Sequence, residues 1–236
     1  MKELLDSGFL HGDAMTVTGK TLAENLADVA SLADLGDQDV VQAVAAPAAQ
    51  PNNHITVLHG NIAPESCVLK LGGKTLQTGE FRGIAKVFED EPSAMAAIQS
   101  GVIVGGDVVV VRNVGPKGGP GMPEMVMLTV ELQGRGLGKD VALITDGRFS
   151  GVSHGILIGH ICPEAAEGGP LAAVVDGDTI IIDPVNRTLN VAIEDDELDQ
   201  RMTKIEPMDL PNSIPQGSVL RRYARQVSSA HYGCVQ

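Results

Sequence analysis

Thr179-Ile180-Ile181-Ile182-Asp183-Pro184-Val185-Asn186-Arg187-Thr188-Leu189-Asn190-Val191-Ala192-Ile193 decides the fold class. Two β-branched runs, 179–182 and 188–193, flank the connection Pro184-Val185-Asn186-Arg187, and proline and asparagine there read as a tight turn. Just upstream, Asp176-Gly177-Asp178 supplies a second turn, so that 171–175 is expected to join the two runs in a three-stranded meander. The same signature recurs toward the N-terminus at 54–58, 66–71, 83–88, 107–111 and 141–145. Val and Ile dominate these eight short runs. With 28 glycines and 3% aromatic residues, the core must be made of Val, Ile, Leu and Ala between frequent turns. Helices are expected at 92–99, 194–202 and 218–230, the first with proline well placed in its opening turn. A few helices covering many short strands predict an α+β fold, a β-rich barrel-like domain with flanking helices over residues 51–236, rather than a doubly wound sheet.

The N-terminal 50 residues read differently, as a helical arm followed by an Ala/Pro linker. A short helix is expected at 3–9 and a second at 22–33, where Thr21 and Glu24 form a capping box. Residues 43–53, rich in Ala, Pro and Gln, read as an extended linker. Gly19-Lys20-Thr21 is not a phosphate loop, because the first glycine of that motif would fall on Ala14.

Seventeen Lys and Arg against 30 Asp and Glu give a formal net charge of −13. Such a surface repels phosphates, which argues against nucleic acid and against an anionic membrane as partners. No apolar run approaches the roughly 20 residues needed to cross a bilayer. Met1 to Asp6 also lacks the apolar core of a signal peptide, so a cytoplasmic location is the expectation. Cys67, Cys162 and Cys234 lie at spacings that match no zinc or ferredoxin pattern and are expected to be buried or free thiols. His154 and His160, on either side of Ile156-Leu157-Ile158, are expected to make local hydrogen bonds.

Between Val114 and Gly169 lie the residues with chemical potential. Gly115-Pro116-Lys117-Gly118-Gly119-Pro120-Gly121-Met122-Pro123-Glu124 holds four glycines and three prolines, so it is a loop. Such a loop lets backbone N–H groups approach an anion, and it ends on one carboxylate. Glu124 reads either as a capping carboxylate in the first turn of a helix starting at Pro123 or as a Mg²⁺ ligand. Thr145-Asp146-Gly147-Arg148-Phe149-Ser150-Gly151 follows the 141–145 strand and places polar groups at a strand end, where sites are common. Ser150 reads as a turn hydroxyl or as a catalytic base. It is not a hydrolase nucleophile elbow, since Arg148 stands where that motif needs glycine. Lys117 and Arg148 read as holders of a substrate carboxylate or as solvated charges. Gly147 is taken with them as substrate-binding, and His154 and Glu164 as structural.

These runs, with Gly159-His160-Ile161-Cys162-Pro163-Glu164-Ala165-Ala166-Glu167-Gly168-Gly169-Pro170, resemble successive signatures of the dihydroxy-acid dehydratase and sugar-acid dehydratase family. Residues 16–26, Thr-Val-Thr-Gly-Lys-Thr-Leu-Ala-Glu-Asn-Leu, are similar to it too, so the resemblance covers nearly the whole chain. It implies a hydro-lyase that removes water from a 2,3-dihydroxy acid to give a 2-keto acid in branched-chain amino-acid biosynthesis. It also implies an iron–sulfur cluster acting as Lewis acid on the departing 3-hydroxyl, Mg²⁺ held in part by Glu124, and Ser150 taking the C2 proton. The sequence departs from the family pattern at Val114, commonly acidic there, and over 126–132. The cluster cysteines of the family lie in a large N-terminal domain that nothing here resembles. The expectation is therefore a C-terminal half whose cluster comes from an N-terminal half or partner subunit. An apolar patch around the two runs, covered by that partner or by a homo-oligomeric contact, is expected with it. Two further readings stay open: a sugar-acid (aldonate) dehydratase domain, and a non-catalytic domain that binds small acids or a partner.

Overall fold

A computed structural model describes residues 1–47, 55–71, 79–206, 208, 210 and 214–236. The chain divides into two compact units, Met1–Pro51 and Asn52–Gln236.

The first unit carries α1 (Lys2–Asp6) and α2 (Leu22–Leu26). Gly8, at φ +77°, ends α1, with Gly8 N–H donating to Leu5 O and Phe9 N–H to Leu4 O. This is the paired closure that a left-handed glycine permits. The Thr21–Glu24 capping box is present, with Glu24 N–H on Thr21 Oγ1 at 3.2 Å and Thr21 N–H on Glu24 Oε2 at 2.7 Å. The second helix stops at Leu26, well short of 33, because Ser31 and Asp34 form a capping box of their own and open a separate 3₁₀ turn at Leu32–Leu35. Most of the expected linker, from residue 48 on, lies outside the described residues.

The second unit is a closed eight-stranded barrel in the order β1-β2-β6-β5-β4-β3-β7-β8. Its strands are β1 (Ile55–Gly60), β2 (Ala63–Leu71), β3 (Phe81–Phe88), β4 (Asp107–Val111), β5 (Ala142–Thr145), β6 (Ile156–Cys162), β7 (Thr179–Asp183) and β8 (Thr188–Val191). The arc β3-β4-β5-β6 is parallel; β1-β2, β2-β6, β3-β7 and β7-β8 are antiparallel. Helices α3 (Glu91–Gln99) and α4 (Val126–Gly134) are the crossovers of the first two parallel pairs, as parallel neighbours require. Two strand expectations are corrected. The expected strand at 171–175 is instead a 3₁₀ turn, Pro170–Ala173, followed by irregular residues, because Pro170 sets a helical φ at its start. The strand that takes the eighth place is β6, so only β7 and β8 pair as a hairpin in this region.

Alternation along the parallel strands builds two apolar layers. Val108, Val110, Ala142, Ile144, Ile156 and Ile158 fill the barrel interior with Leu58, Leu69, Ile180, Ile182 and Leu189. Val109, Val111 and Leu143 point outward against Ile98 of α3 and Leu128 and Leu132 of α4. β4 and β5 are thus buried on both faces, as covered parallel strands are. β1 pairs with β8 at one position only, His59 with Thr188. There Asn61 and Asn190 complete the ladder: Asn61 N–H donates to Asn190 Oδ1 at 2.8 Å and Val191 N–H to Asn61 Oδ1 at 2.8 Å. α5 (Asp195–Met202) and α6 (Val219–Gln226) follow the last strand.

Candidate functional site

Because β4, β5 and β6 are parallel, the segments that leave their C-terminal ends share one rim of the barrel. That is where open parallel sheets collect ligands. β4 leads into the glycine-proline loop, β5 into residues 146–155, and β6 into Pro163 and Glu164. The β5-to-β6 crossover is unusual, since its ten residues join adjacent parallel strands without a helix.

Two buried carboxylates fasten these segments together. Asp146, fully buried, accepts backbone N–H groups from Asn113 at 3.0 Å, Val114 at 3.0 Å and Ala165 at 2.9 Å. Glu164 accepts from Lys117 N–H at 2.9 Å and Gly118 N–H at 2.9 Å. A side chain at Gly115 would place its Cβ 2.6 Å from Glu164 Oε2, so only glycine admits this carboxylate. Burial pushes the Glu164 carboxyl up to about 7, against the pull of those two N–H donors and with added repulsion from Asp146 and Glu167. Two amides of the glycine-proline loop, at 117 and 118, are thus taken by the chain's own Glu164, and the two just before it, at 113 and 114, by Asp146.

The structure brings some of the candidate residues together and separates others. Glu124 and Arg148 are joined by a parallel backbone bridge, and Met125 N–H donates to Arg148 O at 3.1 Å. The Arg148 guanidinium donates through Nε to Met122 O at 2.7 Å and reaches Glu124 at 3.4 Å, a loose contact between half-exposed side chains. Glu124 is not in a first helical turn: α4 begins at Val126 with Met125 at its N-cap. Gly147 N–H is committed to Thr145 Oγ1 at 2.9 Å, and its carbonyl accepts His160 N–H at 2.8 Å. A Cβ at Gly147 would lie 2.9 Å from Val114 Cγ2, so glycine here permits close packing. Lys117 pairs with Glu167 and lines a pocket with Arg221 and Arg225, not the pocket that Ser150 lines.

Ser150 borders a pocket of about 190 Å³ on the outer face of the barrel wall, walled by Ile55, Val68, Phe149 and Leu157. Among the described residues its hydroxyl makes only a long turn contact, 3.4 Å, from Val152 N–H. Two polar residues that local sequence reasoning did not select share this pocket, Lys70 and His160. Lys70 donates to the carbonyl oxygens of Ser150 at 3.0 Å and Ser153 at 2.8 Å, and to that of Gly151. His160 sits at φ +54°, and burial, then the charge of Arg148, holds its imidazole below the usual histidine range. The one available signal for Lys70 was alternation: with Cys67 and Leu69 facing inward, Val68 and Lys70 face out together.

Among the described residues no three His, Cys, Asp or Glu side chains converge. The half-exposed Glu124 carboxylate fits a role as one oxygen ligand of Mg²⁺, which takes few protein carboxylates. The thiols do not fit a cluster, which needs several ligands at one place, since no such group forms among the described residues. Cys67 is buried with its thiol pushed up to about 12, and burial also raises Cys162 and Cys234.

Residues 39–234 match the family model described as dihydroxy-acid/6-phosphogluconate dehydratase C-terminal. The chain is 51% identical over 235 residues to a protein of Methylococcus capsulatus, 50% to one of Leptothrix cholodnii and 48% to one of Francisella tularensis subsp. novicida. All three are named dihydroxy-acid dehydratase. Each alignment takes in the whole of this chain, which spans 40% of the relative's length. With the three sequence signatures meeting at one rim of a closed barrel, the chain belongs to the dihydroxy-acid/6-phosphogluconate dehydratase family, whose C-terminal region it matches.

Proposed function

We propose that this chain is the part of a hydro-lyase that binds a 2,3-dihydroxy acid and takes its C2 proton, the complete enzyme releasing water and a 2-keto acid. The observation that carries this reading is the Ser150 hydroxyl, bound only loosely to its own turn, at the edge of an apolar pocket. In this reading the pocket takes the substrate's alkyl substituent. An aldonate would set its extra hydroxyls against Ile55, Val68, Phe149 and Leu157, which favours a branched aliphatic dihydroxy acid, as in branched-chain amino-acid biosynthesis, over a sugar acid.

Arg148 holds the substrate carboxylate, its Nη2 having no partner among the described residues, while Lys117 contributes positive charge from the neighbouring pocket and Gly147 keeps the backbone close. Glu124 supplies one carboxylate ligand to Mg²⁺, which when bound offers a fixed positive charge to substrate oxygens. As the alkoxide, Ser150 takes the proton from C2 and hands it to the departing C3 hydroxide, which leaves as water; the alkoxide is restored and the enol tautomerises to the ketone. A serine is a weak base, so its alkoxide needs a cation close by, and the Lys70 ammonium stands at the Ser150 carbonyl. The iron–sulfur cluster implied by the family resemblance would be held by another part of the protein. Val152, Met127 and Val130, exposed beside the two runs, offer apolar surface for docking with that part or with a second copy in a homo-oligomer in the cytoplasm.

The test uses the enzyme reassembled with the rest of the protein. Ser150→Ala is expected to lower solvent exchange of the substrate C2 proton by about 10²–10⁴ while substrate still binds. Glu124→Gln is expected to weaken Mg²⁺-dependent substrate binding. Near-normal turnover by Ser150→Ala would remove Ser150 from the role of base.

A further inference from the structure

Lys70 has no carboxylate partner among the described residues, although it is half-buried at a pocket wall and burial disfavours its charge. An ammonium has three hydrogens, and three backbone oxygens receive them, those of Ser150, Gly151 and Ser153. Carbonyl oxygens that converge on one point repel each other unless a cation sits between them. Little else fixes this turn. Ser153 N–H closes it on Ser150 O at 3.1 Å, the Val152 contact to Ser150 Oγ is long, and the buried Ser153 hydroxyl has no partner among the described residues. Gly151 has open space where a side chain would be.

We propose that Lys70 is the positioning residue of the Ser150 turn: its ammonium gathers the three carbonyl oxygens and holds the Ser150 hydroxyl at the pocket beside a fixed positive charge. The geometric part stands by itself; the kinetic consequence rests on the reading of Ser150 as the base. Lys70 reaches across from the outer face of β2 to a loop 80 residues further along the chain, so β2 aligns a catalytic turn that belongs to β5 and β6.

Two measurements on the 236-residue chain test the geometry. With ¹⁵N-labelled lysine, the Lys70 ammonium is expected to exchange its protons with water far more slowly than exposed Lys20, and equal rates would overturn the proposal. In Lys70→Met, amide exchange at Val152 and Ser153 is expected to rise about tenfold or more, the effect of losing a charge-assisted hydrogen bond, with Val108–Val111 unchanged. Unaltered exchange at both amides would overturn it equally. In the reassembled enzyme, Lys70→Met is expected to lower kcat about a hundredfold with KM nearly unchanged. Added methylammonium should restore part of that loss, and should restore nothing to Ser150→Ala. Slow ammonium exchange together with an active Ser150→Ala enzyme would retain the Lys70 role and discard the base. Fast exchange with an inactive Ser150→Ala enzyme would do the reverse.

Discussion

Replacing Glu164 by glutamine probes the carboxylate that seats the glycine loop. Its carboxyl ionises at about 7 rather than at the 4.5 of an unburied glutamate, burial being the main cause. At about 1.4 kcal/mol per pH unit, that displacement is worth about 3 kcal/mol. Between pH 4.5 and 7 the unfolded chain gives up this proton while the folded chain keeps it, so the unfolded state gains and stability falls as pH rises. Above about 7 both states are ionised and the loss is complete. The glutamine of Glu164→Gln has no proton to release; its amide oxygen still accepts one loop N–H, but its NH₂ faces the other, at a cost of about 1–3 kcal/mol. The variant should therefore be less stable than wild type near pH 5, and the gap should close by about 3 kcal/mol on reaching about pH 8. Urea unfolding followed by far-UV circular dichroism at several pH values measures this directly. Taking the difference between the two proteins cancels the titrations of groups remote from Glu164. Parallel pH profiles for wild type and variant would refute the assignment.

Gly60→Ala would bring a Cβ to within 1.8 Å of the Leu189 carbonyl oxygen, at the seam where β1 meets β8. A loss of more than about 3 kcal/mol in chemical unfolding is expected, because both atoms belong to barrel strands that cannot move apart singly. Anaerobic iron–sulfide treatment of the 236-residue chain should leave no stoichiometric iron and no visible cluster absorption, since no ligating set of side chains converges among the described residues; a cluster spectrum would count against this.

Much of the barrel was readable from local pattern because its strands are short, β-branched and separated by glycine and proline. β6 escaped because Gly159, His160 and the following Pro163 interrupt its apolar run, and because His160 adopts a left-handed backbone that no local preference of histidine dictates. The run 171–175 was misread for the opposite reason, since its apolar composition suits a strand while Pro170 starts a turn. At the site, the neighbouring motifs drew attention to Ser150, Arg148 and Glu124, and the last two do meet across a backbone bridge. The pairings that shape the rim, Asp146 with Asn113 and Val114, Glu164 with Lys117 and Gly118, and Lys70 with Ser150, join residues 32 to 80 positions apart. Distances of that kind are set by strand order, which no single motif encodes.

The two carboxylates that occupy the loop amides have a thermodynamic consequence for assembly. A loop that waits for a ligand to order it subtracts its ordering entropy from the ligand's affinity. Here Asp146 and Glu164 fix backbone donors at 113, 114, 117 and 118 from within the chain, so this part of the rim is held in one shape. Binding at this rim then costs little for ordering residues 113 to 118, because the chain's own carboxylates already order them.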